Sequence, residues 1–174
     1  MEIRYALIYT SINSMSANIP IELLVAFLET KKWTEAKVFI YAQKEPDPNR
    51  RMMKLISIYK KTKEKSLKRN ILEKALDSAY KIRDSDARTW ALLDIAQNLD
   101  GQKKEEVIEN ILASASKIKD DYKRTWALSA IARNLDGQKK EEVIKNALTS
   151  TSKILSDDAR AEALSAIIPC LDGQ

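Results

Sequence analysis

Paired carboxylates are the residues of this chain whose type and spacing come closest to those of a catalytic site. Two neighbouring acidic side chains can divide the roles of general acid and general base. The pairs are Glu105-Glu106, Asp120-Asp121, Glu141-Glu142 and Asp157-Asp158. They recur along the chain, whereas an active site is usually built once. We predict that each pair lies in the first turn of a helix, where the helix dipole favours negative charge, and is structural.

The composition of the 174 residues excludes most other chemistry. Histidine is absent, which removes imidazole bases, catalytic triads and imidazole metal sites. Cys170 is the single cysteine, and the glycines are Gly101, Gly137 and Gly173, so neither a thiolate metal cluster nor a glycine-rich phosphate loop can be formed. Serine, lysine and tyrosine are plentiful, but none stands in a recognisable nucleophile arrangement. We predict a protein that is not an enzyme and needs no cofactor or metal.

An internal repeat dominates the rest of the sequence. Residues 88–123 and 124–159 share 25 identical positions out of 36, and a third, partial copy begins at Arg160. Weaker copies precede these. The predicted single domain, 1–174, divides into N-terminal helices (1–46), three repeats (47–83, 84–119 and 120–155) and a C-terminal half-repeat (156–174).

Each repeat is predicted to form two amphipathic helices. Apolar residues recur at steps of three and four, which is the period of one helix face. In the first helix they are Ala91, Leu92, Ile95, Ala96 and Leu99; in the second they are Val107, Ile108, Ile111, Leu112, Ala115 and Ile118. Two such helices cannot bury their apolar faces alone, but stacked copies can. We therefore predict an all-α fold, a right-handed α-α superhelix (solenoid) of about ten helices.

Short signals mark the expected helix ends. Asp84, Asp120 and Asp157 are predicted N-caps, and Asp47-Pro48 places proline at a first helical position. The glycine of each Asp-Gly-Gln sequence is predicted to end the first helix of its repeat in a left-handed conformation. Further helices are expected near 2–14, 20–31, 34–45 and 157–171.

One stretch carries a family resemblance. Lys32-Trp33-Thr-Glu-Ala36, followed by Ile40 and by Asp47-Pro-Asn49, is similar to the second helix of a tetratricopeptide repeat. Residues 117–132 resemble divergent helical-repeat proteins common in archaea and bacteria. The period of 36 exceeds the family's 34, and Asp94 stands where the family has glycine, so HEAT-like stacking is the alternative. The resemblance implies binding of a protein or peptide on an extended surface, with no catalytic residues.

A candidate binding groove follows from the near-identical repeats. Their first helices differ only at positions 93/129, 94/130 and 97/133, which share a helix face with the tryptophans. Residues buried between repeats cannot vary freely, so this face is predicted to meet a partner. The predicted groove residues are Met53, Lys60, Trp90, Asp94, Gln97, Trp126 and Arg133. The alternative for the tryptophans is packing between repeats, because large aromatic residues favour burial.

Residues 50–69 form a second candidate surface, the basic segment. Nine basic residues accompany Glu64 alone, a local net charge of +8 within a chain of net charge +5. The basic residues are Arg50, Arg51, Lys54, Lys60, Lys61, Lys63, Lys65, Lys68 and Arg69. Such a segment would bind a nucleic-acid backbone without sequence specificity. The alternative is a solvated lysine-rich turn of a protein from a thermophile, whose composition this chain resembles.

These observations lead to one functional prediction and two alternatives. The chain is predicted to be a cytoplasmic protein–protein interaction scaffold whose partner the sequence does not identify. The first alternative is a nucleic-acid-associated helical-repeat protein that uses the basic segment, and the second is an enzyme that uses only carboxylates, lysine or tyrosine. No apolar run reaches the roughly 20 residues of a membrane span. The final helix, 157–171, is apolar on more than one side, which predicts a homodimer through that helix. The alternative is that the chain is one piece of a longer array whose next repeat covers the helix.

Overall fold

The computed structural model describes residues 19–171, and the helix predicted near 2–14 lies outside that range. Within it the chain is all-α, as predicted, with nine helices and no strand. The helices are α1 (Ile21–Glu29), α2 (Glu35–Gln43), α3 (Pro48–Lys61), α4 (Lys65–Tyr80), α5 (Ser85–Ala96), α6 (Gly101–Ala115), α7 (Asp121–Ala132), α8 (Gly137–Thr151) and α9 (Asp157–Leu171).

The described residues divide into two compact units, with the boundary between Ile82 and Arg83. In the first unit, α3 packs against α1, α2 and α4, and α2 also contacts α1 and α4. Leu24, Val38, Leu55, Ile58 and Ile71 are at most 1% exposed and form the centre of this core.

In the second unit, α5 packs with α6 and α7 packs with α8. Successive first helices also meet, because α7 contacts both α5 and α9. The backbones of α6 and α8 do not approach each other within the described residues, and an open cleft of about 550 Å³ lies between them. The first helices are therefore closer together than the second helices.

The apolar stripes predicted from the sequence form the core of the second unit. All five stripe residues of α5 and its C-terminal turn are buried, and all of the second stripe except the half-buried Leu112 is buried. The 3.6-residue period identified the buried faces because burial of an amphipathic face stabilises short helices more than intrinsic propensity does.

Three of the four predicted helix starts are confirmed. The carboxylates of Asp47, Asp84 and Asp120 accept hydrogen bonds from backbone N–H groups three residues ahead, at 2.8, 2.7 and 2.9 Å. The prediction for Asp157 is wrong. Asp157 is already the first residue of α9, and the hydroxyl of Ser156 accepts from the N–H of Ala159 at 3.3 Å.

The glycine prediction is right in conformation and wrong in position. Gly101 and Gly137 have φ of 57° and 58°, but each is the first residue of a second helix. The first helices have already ended at Ala96 and Ala132. Lysine and glutamine favour helix, so the residues after each glycine extend the second helix back to it.

That earlier start also corrects the prediction for two carboxylate pairs. Glu105-Glu106 and Glu141-Glu142 lie beyond the first turn of α6 and α8. In α7 Asp121 lies in the first turn after the Asp120 cap, and Asp157-Asp158 lie in the first turn of α9.

Candidate interaction surface

The predicted groove begins at Trp90 on α5, which is 43% exposed. Its indole Nε1 donates a hydrogen bond to Asp86 Oδ1 at 2.9 Å, one helical turn earlier. The other carboxylate oxygen of Asp86 lies 3.3 Å from Lys123 Nζ on α7. Trp90 is therefore oriented by a carboxylate that also links two successive first helices, and much of its ring remains accessible to a partner.

The two other α5 positions differ in exposure. Gln97 is exposed at the C-cap, whereas Asp94 is half-buried. The carbonyl of Asp94 accepts a hydrogen bond from the Asn98 side chain at 2.9 Å, a contact that recurs between Asn134 and Ala130. Side-chain changes at 94/130 thus leave this backbone contact intact.

Trp126 on α7 holds the position of Trp90 but is more deeply placed. It is half-buried, and its Nε1 atom is buried. Its ring lies 6.2 Å from that of Tyr122. Loss of hydration and the Glu162 carboxylate on α9 raise the pKa of Tyr122. Trp126 therefore packs against neighbouring side chains, as the alternative prediction for the tryptophans stated. Trp90, which is more exposed, does so to a smaller extent.

Arg133 is exposed and also touches α9. Its Nη2 donates a hydrogen bond to the carbonyl oxygen of Ala166 at 3.2 Å. The guanidinium therefore lies at the seam between α7 and α9. Together, Asp86, Trp90, Lys123, Tyr122, Glu162 and Arg133 form what we term the first-helix face of the second unit.

The groove residues predicted in the first unit lie on α3. Met53 is 53% exposed and Lys60 is exposed. Met53 lines a pocket of about 250 Å³ with Pro20 and with the charged side chains of Glu45 and Lys54.

Part of the basic segment is not a surface, which corrects the prediction for Lys54. Lys54 is 6% exposed, and its Nζ lies 2.7 Å from Oε2 of Glu45, which is itself 2% exposed. Arg50 pairs with the same carboxylate at 3.1 Å. Arg51 donates to Ser78 Oγ at 2.9 Å and to the Glu45 carbonyl at 2.8 Å. The Glu45 carboxylate pairs with Lys54 and Arg50 because a buried carboxylate requires paired charges, whereas Arg51 contacts the backbone carbonyl of Glu45.

This pairing sets the ionisation of Glu45. Burial alone would raise its pKa, but four effects outweigh burial. These are the hydrogen bonds from Lys54 and the Asp47 N–H, and the charges of Lys54 and Arg50. The pKa of Glu45 therefore lies below its ordinary value, and the carboxylate stays ionised at neutral pH.

The remaining basic residues lie around the connection from α3 to α4. Lys61 pairs with Glu29 at 2.7 Å, and the Lys68 ammonium lies 4.8 Å from the centre of the Tyr59 ring. Lys60, Lys63, Lys65 and Arg69 are exposed. A cleft of about 530 Å³ brings Lys61 and Lys63 together with Lys31 and Trp33.

Two features were not predicted from the sequence. The first is an aromatic cluster around Trp33, whose ring centre lies 4.5 Å from that of Phe27 and 4.7 Å from that of Tyr41. Lys37 lies over the Trp33 ring, and Lys44 lies over the Tyr41 ring. The sequence does contain a signal for these contacts, because Lys37 follows Trp33 by four residues and Lys44 follows Tyr41 by three, which places each lysine beside an aromatic ring on a helix. The α6–α8 cleft has no such signal, because it depends on the spacing of helices rather than on one helix face.

The cleft between α6 and α8 is bridged by an ion pair. Lys139 on α8 contacts Glu109 on α6, and that hydrogen bond raises the pKa of Lys139. Leu112, Leu128 and Val143 contribute apolar side chains to its lining. The cleft presents both signs of charge and is separate from the predicted groove residues.

Comparisons with known proteins add no family to this description. No family model, curated protein or solved structure matches the chain. The resemblance to tetratricopeptide repeats stays a prediction. Residues 19–171 contain no helix with the length and apolar character of a membrane span. The same residues contain no cluster of three or more acidic, cysteine or histidine side chains arranged for a metal ion.

Proposed function

We propose that this chain is a non-enzymatic interaction scaffold, a right-handed tetratricopeptide-like solenoid that binds a protein or peptide on its first-helix face. The observation that carries the proposal is Trp90. A large aromatic side chain remains 43% exposed although its indole N–H is held by Asp86. Tryptophan is enriched among the residues that dominate binding energy at protein interfaces.

The surroundings of Trp90 support this use. Lys123 and Asp86 supply both signs of charge beside the ring, and Gln97 is exposed one to two turns further along α5. An apolar centre with a polar rim is the usual arrangement of a protein interface. Asp94 and Gln97, which differ between the near-identical repeats, follow Trp90 by four and seven residues on the same helix face. The third differing position, 93/129, is buried at 5% and 1% exposure and takes no part in this surface.

A display library of random peptides, panned on the whole chain, tests this proposal. Selected peptides should lose at least tenfold in affinity to Trp90→Ala and several-fold to Gln97→Ala. Lys145→Ala is the matched control, because Lys145 is exposed on α8, away from the first-helix face. Peptides that bind Trp90→Ala as tightly as the parent chain, or an absence of selected peptides, would contradict the proposal.

The second candidate function is binding of a nucleic-acid backbone, and the observation that favours it lies in the first unit. Lys31, Lys61 and Lys63 line one cleft with Trp33. Phosphate contacts of this kind weaken as salt rises. Titration of the chain with single-stranded RNA at two salt concentrations, followed by tryptophan fluorescence, tests this function. Lys63→Ala is expected to weaken the binding. Binding that ignores salt would count against it.

A further inference from the structure

The α6–α8 cleft is an open surface between two second helices of the second unit. Helices α6 and α8 form its walls, and side chains of α7 also line it. Six of the seven lining residues from Lys139 to Lys153 are identical to the residues 36 positions earlier in the sequence. The charges of this wall are therefore a property of the sequence repeat.

One end of the cleft carries a net negative charge. Lys139 of α8 contacts Glu109 of α6, and Glu142 lies one turn further along α8. The hydrogen bond to Glu109 and the nearby charge of Glu142 both raise the pKa of Lys139. Because Lys139 and Glu109 balance each other, Glu142 provides the net charge that can attract a positive group.

The other end carries a net positive charge. Arg124 of α7 donates a hydrogen bond to Ser150, and Lys153 follows Ser150 by three residues. All three side chains line the cleft. Arg124 is paired with Asp121 of its own helix, so Lys153 provides the net charge that can attract a negative group.

Apolar side chains and an amide complete the lining. Leu112, Leu128 and Val143 supply the apolar surface, and Asn146 is exposed one turn after Val143. An asparagine amide can both donate to and accept from the backbone of a bound chain. Along α8 the cleft therefore presents a negative group, then apolar and amide groups, then a positive group.

The spacing of the two charges matches an extended chain. Glu142 and Lys153 are 11 residues apart, which is about 16 Å at the rise of an α-helix. In an extended chain alternate side chains share one face, and residues four positions apart are separated by about 13 Å, a span that long side chains extend. The contact of Lys139 with Glu109 crosses the cleft. A helix about 10 Å wide would have to displace that contact, whereas an extended chain is about 5 Å wide.

We propose that the α6–α8 cleft binds an extended segment of another protein that carries a basic, an apolar and an acidic residue at alternate positions. The basic residue pairs with Glu142, the acidic residue pairs with Lys153, and the apolar residue packs on Leu112 and Val143. This site uses other helices than the first-helix face and does not depend on the function proposed for that face.

A capped heptapeptide, Thr-Lys-Thr-Leu-Thr-Glu-Thr, is the probe, because threonine favours an extended chain. Two control peptides carry lysine, or glutamate, at both charged positions. Each is titrated to about 2 mM into the isotope-labelled full chain and followed by NMR, a range that covers weak binding. The backbone amide signals of Val143, Asn146 and Thr149 should shift, and both controls should bind about fivefold more weakly, since each loses one ion pair. The indole signal of Trp90 should not shift.

Charge reversal in the cleft tests the assignment of its two ends. Glu142→Lys should prefer the peptide with two glutamates, and Lys153→Glu should prefer the peptide with two lysines. Lys145→Glu is the matched control, because Lys145 is exposed on α8 but does not line the cleft. Its preference among the three peptides should equal that of the parent chain. Circular dichroism confirms that the variants fold.

Three results would overturn the proposal. The first is equal binding, or no binding, of all three peptides by the parent chain. The second is a preference that Glu142→Lys leaves unchanged. The third is a shift of the Trp90 indole signal without shifts in the cleft, which would place the peptide on the first-helix face and support the function proposed there.

Discussion

Arg124 Nε donates a hydrogen bond to Ser150 Oγ at 3.0 Å, which joins helix α7 to helix α8. Its Nη1 donates at 2.7 Å to the carbonyl of Ile118, in the connection before α7. One guanidinium thus links a first helix, its second helix and the preceding turn. Arg88 and Ser114, 36 residues earlier, make the same contact at 2.9 Å, and Arg51 makes it with Ser78 in the first unit.

These hydrogen bonds predict that Arg124 contributes to stability through the geometry of its guanidinium as well as through its charge. Arg124→Ala should lower the free energy of unfolding by about 2 kcal/mol, since it leaves the buried Ser150 hydroxyl and the Ile118 carbonyl with fewer partners. Arg124→Lys should recover less than half of that loss, because an ammonium cannot form the planar fork. Urea denaturation monitored by circular dichroism measures both.

Lys153→Ala serves as the control for Arg124. Lys153 is exposed in the connection after α8, so its replacement should change the free energy of unfolding by less than about 0.5 kcal/mol. If Arg124→Lys were as stable as the parent chain, the guanidinium geometry would have no part in the linkage.

The two groove tryptophans are expected to differ in stability. Trp126→Ala should cost about 3 kcal/mol, because the half-buried indole packs beside Tyr122 at the seam with α9. Trp90→Ala should cost about 1 kcal/mol, because Trp90 is 43% exposed. Thermal unfolding of the two variants gives the comparison. Equal losses would remove the distinction between a packing tryptophan and an accessible one.

Arg133→Ala tests the other end of the first-helix face. Replacement of an exposed arginine by itself would change stability very little, but the hydrogen bond to the Ala166 carbonyl adds a contact with α9. We therefore expect a loss of about 1 kcal/mol. Selected peptides should also bind more weakly to this variant. A loss as large as that of Trp126→Ala would exclude Arg133 from a binding role separate from packing.

What the sequence predicted, and what it could not, follows from the range of each interaction. Helix positions and buried faces depend on local periodicity, so the stripe from Ala91 to Leu99 was identified without a structure. The Glu45–Lys54 pair and the Arg124–Ser150 bond depend on how helices pack, and nothing in a run of lysines distinguishes the buried Lys54 from the exposed Lys60. The basic segment was therefore predicted as one surface, although Lys54 is buried in a pair with Glu45.

Replacement of the glycine that begins a second helix is expected to lower stability through backbone conformation alone. Gly137 has φ of 58°, and a Cβ built there meets no atom within 4 Å. Gly137→Ala should therefore destabilise the chain by about 1 kcal/mol, through backbone strain and not through a clash. Gly137→Asn should cost less, because asparagine tolerates the left-handed region. A Gly137→Ala variant as stable as the parent would mean that the chain relaxes to negative φ at no cost.

The buried Glu45 predicts how the chain responds to acid. Its pKa in the folded state is lowered from the model-peptide range, so ionised Glu45 contributes stability above pH 4.5. That contribution is lost as pH falls through the folded pKa, when the carboxylate must be protonated. Glu45→Gln should remove this part of the acid dependence. It should also lower stability at pH 7 by about 3 kcal/mol, because the buried Lys54 ammonium loses the carboxylate that lies 2.7 Å from it. Adding Lys54→Met should recover much of that loss, since the buried ammonium is then gone. Urea denaturation of the parent chain and the two variants from pH 3 to pH 7 measures both effects. Glu29→Gln, which alters the exposed pair with Lys61, is the control. A Glu45→Gln variant with the parent's stability at pH 7 would show that Glu45 and Lys54 are hydrated rather than held as a buried pair.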